Sequence, residues 1–330
     1  MKNNKVSHIL IFGIVFAFLA ILPFLLKAVA TEWLSLTAHI MTKIYMNIAL
    51  GLSLWIMLQA GMLSLGQGAF IAVGAYTTGI LAVKYSLIPN LWLCYIIGGV
   101  MASITAFLLG LISVHLRRIF FLLVTWAFGE LLHPVLTSFN DPFGGAAGIV
   151  EIPAPQGLAA LAAYLGSGYY YLSFVYAILV FFIIWRVSTS KVGLIYKSIG
   201  QNELLTNYCG IHARYYKLQV FTLGCLLTGV GGGIMASYLT TVSPESFTFF
   251  TSLEIIMFNL IGGMGFITGP IVGAIVLTGV NELLFAIGTW KAIFYGLLII
   301  LVIRFLPGGL ISLPSLLKKT FTRREEGGEC

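Results

Sequence analysis

Four polar side chains interrupt apolar stretches of this chain, and each poses a chemical question. Glu130 closes the run Val124-Thr125-Trp126-Ala127-Phe128-Gly129-Glu130 near the middle of an apolar segment. A carboxylate in hydrocarbon costs about 3 kcal/mol on insertion scales, so it must face protein or water, or carry a proton. His133 follows at i+3 on the same helical face and is the nearest candidate partner. Such a group either fixes bundle geometry through an interhelical hydrogen bond or lines a solute path. Gln67, within Gly61-Met62-Leu63-Ser64-Leu65-Gly66-Gln67-Gly68-Ala69-Phe70, starts an apolar helix. Its amide either caps that helix or touches a solute. Asn259 and Glu254 lie in the apolar segment that leads to Gly262-Gly263-Met264-Gly265 and meet the same test as Glu130.

A fourth stretch is hydrophilic and basic, residues 188–217. Within it, residues 201–209 predict a short helix stopped by Gly210, a usual C-terminal stop residue. Leu204, Leu205, Tyr208 and Ile211 give it an apolar side. That side either lies in a membrane interface or enters a groove on a soluble partner.

The elements that must position these groups follow from composition. Of 330 residues 59% are hydrophobic and only 9% charged, against roughly 25% charged in soluble domains. Seven of the 29 charges (18 basic plus 11 acidic) fall in residues 318–330. This excludes a soluble enzyme, a disordered chain and a nucleic-acid binder; the net charge of +7 reflects where the charges lie relative to a bilayer. A spanning helix needs about 20 apolar residues. Such segments are expected at 8–28, 38–60, 66–84, 91–114, 119–137, 168–187, 218–241, 251–264, 269–287 and 291–306, giving an all-α polytopic membrane protein of about ten helices, with nine as the alternative.

Lys and Arg accumulate on the cytoplasmic side of membrane proteins. With the N-terminus inside, 14 of the 18 basic residues fall in inner segments, against Lys27, Lys84 and Lys291 outside and Lys43 just within a span. Both termini are therefore expected in the cytoplasm. Residues 1–317 form the transmembrane domain, with an outer loop at 138–167, the inner loop at 188–217 and a charged cytoplasmic tail at 318–330. The outer loop carries Asp141 and Glu151 but no Lys or Arg. Lys2, Lys5 and the later Ala28-Val29-Ala30 resemble a signal peptide, but the apolar run is longer than a signal core and is expected to be a retained span.

Small residues recur where helices must approach closely. Gly68 and Gly74, Gly229 and Gly233, and Gly265, Gly269 and Gly273 mark thin helix faces. Gly61-Met62 and Gly263-Met264 occupy matching inner breaks and suggest an internal repeat. No G-x-x-x-x-G-K-[ST] loop occurs, nor any HExxH, GxSxG or Cys/His cluster. No cofactor, metal or enzymatic site is expected. Cys94, Cys209, Cys225 and Cys330 have no metal or redox spacing and read as unpaired thiols.

Taken in order, GQGAF…GAY, TWAFGE, NEL…GI, SPESF, GGMGFITGPIVGA and the closing Arg304-Phe305-Leu306-Pro307-Gly308-Gly309-Leu310 resemble the LivM-type permease of branched-chain amino-acid ABC importers, over about residues 45–310. The resemblance implies a multi-pass subunit of the bacterial inner membrane. Its implied partners are a LivH-type second permease, two cytoplasmic ABC ATPase subunits and a periplasmic substrate-binding protein. It also implies that the inner loop is an ATPase-coupling loop, with Asn202, Glu203, Leu204, Gly210 and Ile211 at its contact. Gly200-Gln201 replace the family's usual Arg-Glu, and Phe143-Gly144-Gly145-Ala146-Ala147-Gly148 keeps the glycines of an outer-loop pattern without its polar residues. Gln67, Glu130 and Asn259 are the candidates for lining the path. Branched-chain amino acids are the family default as solute; urea and short amides are carried by relatives. A gradient-driven secondary transporter working through Glu130 and Glu254 is the rival mechanism.

Overall fold

A computed structural model describes residues 31–84, 90–116, 118–158, 168–284 and 309–312, with isolated positions 296, 300 and 304. Ten helices follow one another along the described residues: α1 (Thr31–Gln59), α2 (Gln67–Gly79), α3 (Leu91–Ser113), α4 (Arg118–Ser138), α5 (Gly168–Thr189), α6 (Lys191–Gln201), α7 (Glu203–Tyr208), α8 (Ala213–Leu239), α9 (Phe249–Gly262) and α10 (Gly269–Leu283). Extended backbone pairs once among them, at an isolated antiparallel bridge between Ile149 and Val242.

Among the described residues, five helices are long and apolar enough to cross a bilayer: Leu36–Gln59, Leu91–Ser113, Arg118–Ser138, Gly168–Thr189 and Ala213–Leu239. They correspond to the spans expected at 38–60, 91–114, 119–137, 168–187 and 218–241. The last starts earlier, at Ala213, whose amide donates to Asn207 Oδ1, and its charged first turns include Lys217, paired with Glu203. The segments expected at 66–84, 251–264 and 269–287 are shorter than a crossing. Helix α2 has 13 residues before a π-helical turn at Ile80–Lys84, α9 has 14 and α10 has 15. At 1.5 Å per residue each is about 20 Å long, against a hydrocarbon core of about 30 Å. The spans expected at 8–28 and 291–306 lie outside the described residues, except for Gly296, Ile300 and Arg304.

Helix boundaries have local causes. Gly61, at φ 73°, turns the chain out of α1 into an extended run before α2. Asn90 caps α3 by accepting from the Trp92 amide at 3.1 Å, and Pro270 occupies the first turn of α10, where its missing N–H costs nothing.

Helices α1 and α8 form the buried centre. Helices α2 and α3 press onto α8 through their backbones: a Cβ at Gly74 would lie 2.0 Å from the Gly229 carbonyl, and one at Gly232 would lie 2.2 Å from that of Ile71. Gly233 abuts Thr78, and Gly68 abuts Ser252 and the Thr248 carbonyl. On the other side α1 packs on α9 and α10. Gly51 meets Pro270 and Phe258, Asn47 donates to Thr278 Oγ1 at 2.9 Å, and Lys43 pairs with Glu282 at 2.8 Å. Gly269 sits against the Gly263 carbonyl and Gly273 against that of Phe258. Gly265 differs from expectation: it lies in a turn with open space around it and packs nothing.

The two ends of the bundle differ. One is a cap built from residues 139–158 and 240–248, joined by the Ile149–Val242 bridge and an Ile152 amide donating to the Thr240 carbonyl at 3.0 Å. Lys84 pairs with Asp141 there. The opposite end carries α6 and α7 with Arg118, Arg186, Lys191, Lys197, Arg214 and Lys217 and is called the basic face below.

Candidate functional site

Two places in this fold can do work: a cavity at mid-depth of the bundle, and a protruding surface on the basic face.

The cavity measures 330 Å³ and lies between α4, the start of α2 and the start of α9. Both short helices begin part-way through the bundle rather than at its ends. The chain before α2 is extended and held to α4, with the Leu65 amide donating to Thr125 Oγ1 at 3.2 Å. The chain before α9 is a tight turn, Pro244–Phe247. The two starts are tied together by the Gly68 amide, which donates to Ser252 Oγ at 2.8 Å. Neither Gly66 nor Thr248 caps its own helix with a side chain, and Ser252 takes up the Gly68 amide in the first turn of α2. Irregular backbone at membrane depth is tolerated where protein or water covers it.

Three titratable side chains line this space: Glu130, His133 and Glu245. Glu130 is about 18 Å along α4 from Arg118, counting 1.5 Å per residue, which puts it well inside the span. His133 Nε2 stands 4.0 Å from Glu245 Oε1, a charge pair when the ring is protonated. The partner found for His133 is therefore Glu245, not Glu130. Pro134 lies inside α4 and has no N–H, so the Glu130 carbonyl loses its usual helical donor. Trp126, Phe249 and Phe250 supply apolar walls, and Trp126 packs edge-on to Phe249 at 6.1 Å. Among the described residues, no Lys or Arg lines the cavity.

Gln67 and Asn259 are placed elsewhere. Both are completely buried. Gln67 accepts from Thr228 Oγ1 at 2.9 Å and donates to Met57 Sδ at 3.3 Å, in a network that continues to Ser53. Asn259 donates to the Gly51 carbonyl at 3.0 Å and the Ile255 carbonyl at 3.1 Å. Both amides hold helices together in this structure and neither reaches the cavity. Their spacing in sequence is like that of Glu130; only packing separates them.

The protruding surface is α7. The short helix expected over 201–209 is α7, which starts at Glu203 rather than at residue 201; Gln201 is the last residue of α6 and Asn202 separates the two. The break arises because the Asn202 side chain accepts from the Leu205 amide at 3.0 Å and caps a new helix. The far end closes on Gly210, at φ 83°. The Gly210 amide donates to the Asn207 carbonyl at 3.0 Å and the Ile211 amide to Thr206 at 3.4 Å, the paired bonds of a Schellman stop. Asn207 Oδ1 then accepts from Ala213 N at 3.1 Å and leads into α8. Glu203 pairs with Lys217 at 2.5 Å. Leu204, Leu205 and Tyr208 are 69%, 62% and 86% exposed, while Ile211 is half-buried. Three bare apolar side chains on an anchored turn make a protruding apolar knob.

Helix α6 links that knob to the bundle. A Cβ at Gly200 would lie 2.2 Å from the Gln59 carbonyl, so α6 touches the end of α1 backbone to backbone. The Arg118 guanidinium donates to the Gly200 carbonyl and lies against Gly61. From the same end of α1, Trp55 Nε1 and Gln59 Nε2 donate to the Met264 carbonyl at 2.9 and 3.1 Å. The two Gly-Met breaks, the start of α4 and the end of α6 therefore meet at one junction.

Sequence reasoning missed Glu245 and Glu282 as interacting acids. Glu245 was visible in Ser-Pro-Glu-Ser-Phe, but its neighbour His133 is 112 positions away. The Glu282 partner, Lys43, is farther still.

The chain matches a family model described as "Branched-chain amino acid transport system / permease component" over residues 36–303. It is 31% identical over 293 residues to the high-affinity branched-chain amino acid transport system permease protein LivM of Escherichia coli (strain K12), covering 82% of this chain and 68% of that one. It is 29% identical to the LivM protein of Salmonella typhimurium (strain LT2), with the same coverage. No solved structure matches.

Proposed function

This chain belongs to the family of branched-chain amino acid transport system permease components, and we propose that it is one of two membrane subunits of an ABC importer for apolar amino acids. It is a multi-pass membrane permease subunit. In this reading it sits in the bacterial inner membrane with its basic face in the cytoplasm. A LivH-type permease lies beside it, two ATPases bind below, and a periplasmic binding protein delivers solute to the cap.

The observation that carries this reading is the exposure of Glu130. A carboxylate deep in a span cannot face lipid cheaply, yet Glu130 and most of α4 are uncovered in the single chain. A second permease against α4, α2 and α9 would enclose the cavity and convert it into a solute path between the subunits. Its chemistry suits an apolar amino acid. Glu130 and Glu245 attract the ammonium, the start of α9, which has no side-chain cap, suits a carboxylate, and Trp126, Phe249 and Phe250 offer apolar contact. Each contact is modest, which fits a path rather than a tight binding site.

The driving force enters through α7. Leu204, Leu205 and Tyr208 dock into a groove on an ATPase, with Asn202, Glu203, Gly210 and Ile211 shaping the turn. Closure of the ATPase pair pushes α6 against the α1 end, and the Gln59–Met264 contact passes the movement to the break before α10. Reconstitution tests this. Leucine uptake in proteoliposomes should require the second permease, the ATPases, ATP and the binding protein. Uphill uptake by this chain alone in a proton or sodium gradient would instead establish the gradient-driven mechanism.

A further inference from the structure

A trough on the flank away from the Glu130 cavity has the form and charge of a lipid site. Helices α3 and α5 both pack on α8 and leave a gap between them, closed at the basic face by α6. The gap is a cavity of 580 Å³, walled by Phe107 of α3, Val187 of α5, Tyr196 of α6 and Leu218, Leu223 and Leu226 of α8. Among the described residues, no charged side chain lines it. A second cavity of 240 Å³ adjoins it, sharing Tyr215 and Leu218, and is lined by His115 and Arg214. An apolar trough thus leads to a basic mouth.

The surroundings say what fills it. The trough opens sideways, between the exposed apolar faces of α3 (Ile104, Leu108, Leu111) and α5 (Leu179, Phe182). Such faces belong in acyl chains. Arg186 and Lys191 flank the trough residues Val187, Ser190 and Val192 in sequence. Among the described residues neither they nor Arg214 makes an ion pair, and the acid described on this face, Glu203, is held by Lys217. Unneutralised positive charge at the mouth of a hydrocarbon trough at a membrane interface calls for an anionic amphiphile.

We propose that these joined cavities bind one anionic phospholipid of the basic-face leaflet, with an acyl chain between α3 and α5 and the phosphate at Arg214 and His115. Because Val192 and Tyr196 of α6 form one wall, the lipid braces the helix that carries α7. Binding stands without the function proposed above; a bracing effect on coupling rests on it.

The test uses the full-length chain with its copurifying subunits, stripped of lipid and given back phosphatidylglycerol or phosphatidylcholine of matched chains, with bound lipid counted by native mass spectrometry. Phosphatidylglycerol should be retained in preference to phosphatidylcholine. Arg214→Gln should weaken that retention about five-fold, the size expected for one basic residue at an anionic surface. Leu223→Trp should reduce both lipids by filling the trough, and Lys197→Gln, on the same face but outside both cavities, should leave retention unchanged. Equal retention of the two lipids, or an equal loss in Lys197→Gln and Arg214→Gln, would overturn the site. So would a protein cross-link from Leu223→Cys, since a subunit would then occupy the trough. Lipid retention as expected, with no leucine uptake by the fully reconstituted complex, would count against the proposed function alone.

Discussion

Lys217, only 6% exposed at the start of α8, holds Glu203 at the first position of α7, 2.5 Å away. One long, deeply seated helix is thereby tied to a short exposed one. A docking partner that moves α7 must also move α8, or break a partly buried charge pair. Removing either partner should therefore uncouple the motor more than it unfolds the chain. Glu203→Ala and Lys217→Ala are each expected to cut uptake and solute-stimulated ATP hydrolysis several-fold with membrane insertion unchanged. The exchanged pair Glu203→Lys with Lys217→Glu should recover part of the loss. Full uptake in both single variants would remove the pair from the coupling route.

Gly210 tests the shape of the docking turn without touching its contacts. Its φ of 83° is open to glycine and strained for alanine by about 1–2 kcal/mol, although no atom lies within 4 Å to clash. Gly210→Ala should weaken ATPase binding in a pull-down while leaving the thermal stability of the bundle within a few degrees. Gly210→Asn, which tolerates the left-handed region better, should bind more strongly than Gly210→Ala.

Gly200 should behave differently. Its obstacle is backbone, the Gln59 carbonyl at 2.2 Å from a built Cβ, so even alanine must push α6 off α1. Gly200→Ala is expected to leave ATPase binding at α7 intact and lower uptake per ATP hydrolysed, measured in proteoliposomes. Unchanged stoichiometry would mean that movement does not pass through this contact.

Glu130 and the buried amides should separate by phenotype. Glu130→Gln keeps size and removes charge, and should reduce uptake with normal subunit assembly, since the side chain lines a cavity rather than a seam. Gln67→Leu breaks the Thr228 and Met57 contacts inside the core and should cost about 1–3 kcal/mol, the usual penalty for orphaning a buried hydrogen-bonding group. That loss should appear as a lower unfolding temperature. If Gln67→Leu instead lowers uptake in a fully stable protein, the assignment of roles is reversed.

Much of this molecule was legible in its sequence because membrane helices obey a one-dimensional rule. Apolar length located five crossings to within a few residues, and Gly74, Gly229, Gly269 and Gly273 fell on close backbone approaches. Gly210 announced the stop of α7 because a left-handed turn strongly prefers glycine. Tertiary structure alone decided the rest. Glu130, Gln67 and Asn259 look alike in sequence, each a polar group in an apolar run. Whether such a group meets a cavity or a carbonyl depends on residues far away in the chain, 161 positions for Gln67 and Thr228 and 208 for Asn259 and Gly51. The start of α2 part-way through the bundle likewise depends on Thr125 and Ser252, which accept from the Leu65 and Gly68 amides. Local hydrophobicity is summed along the chain, so sequence carries it; hydrogen-bond satisfaction is settled between distant segments, so only the folded molecule does.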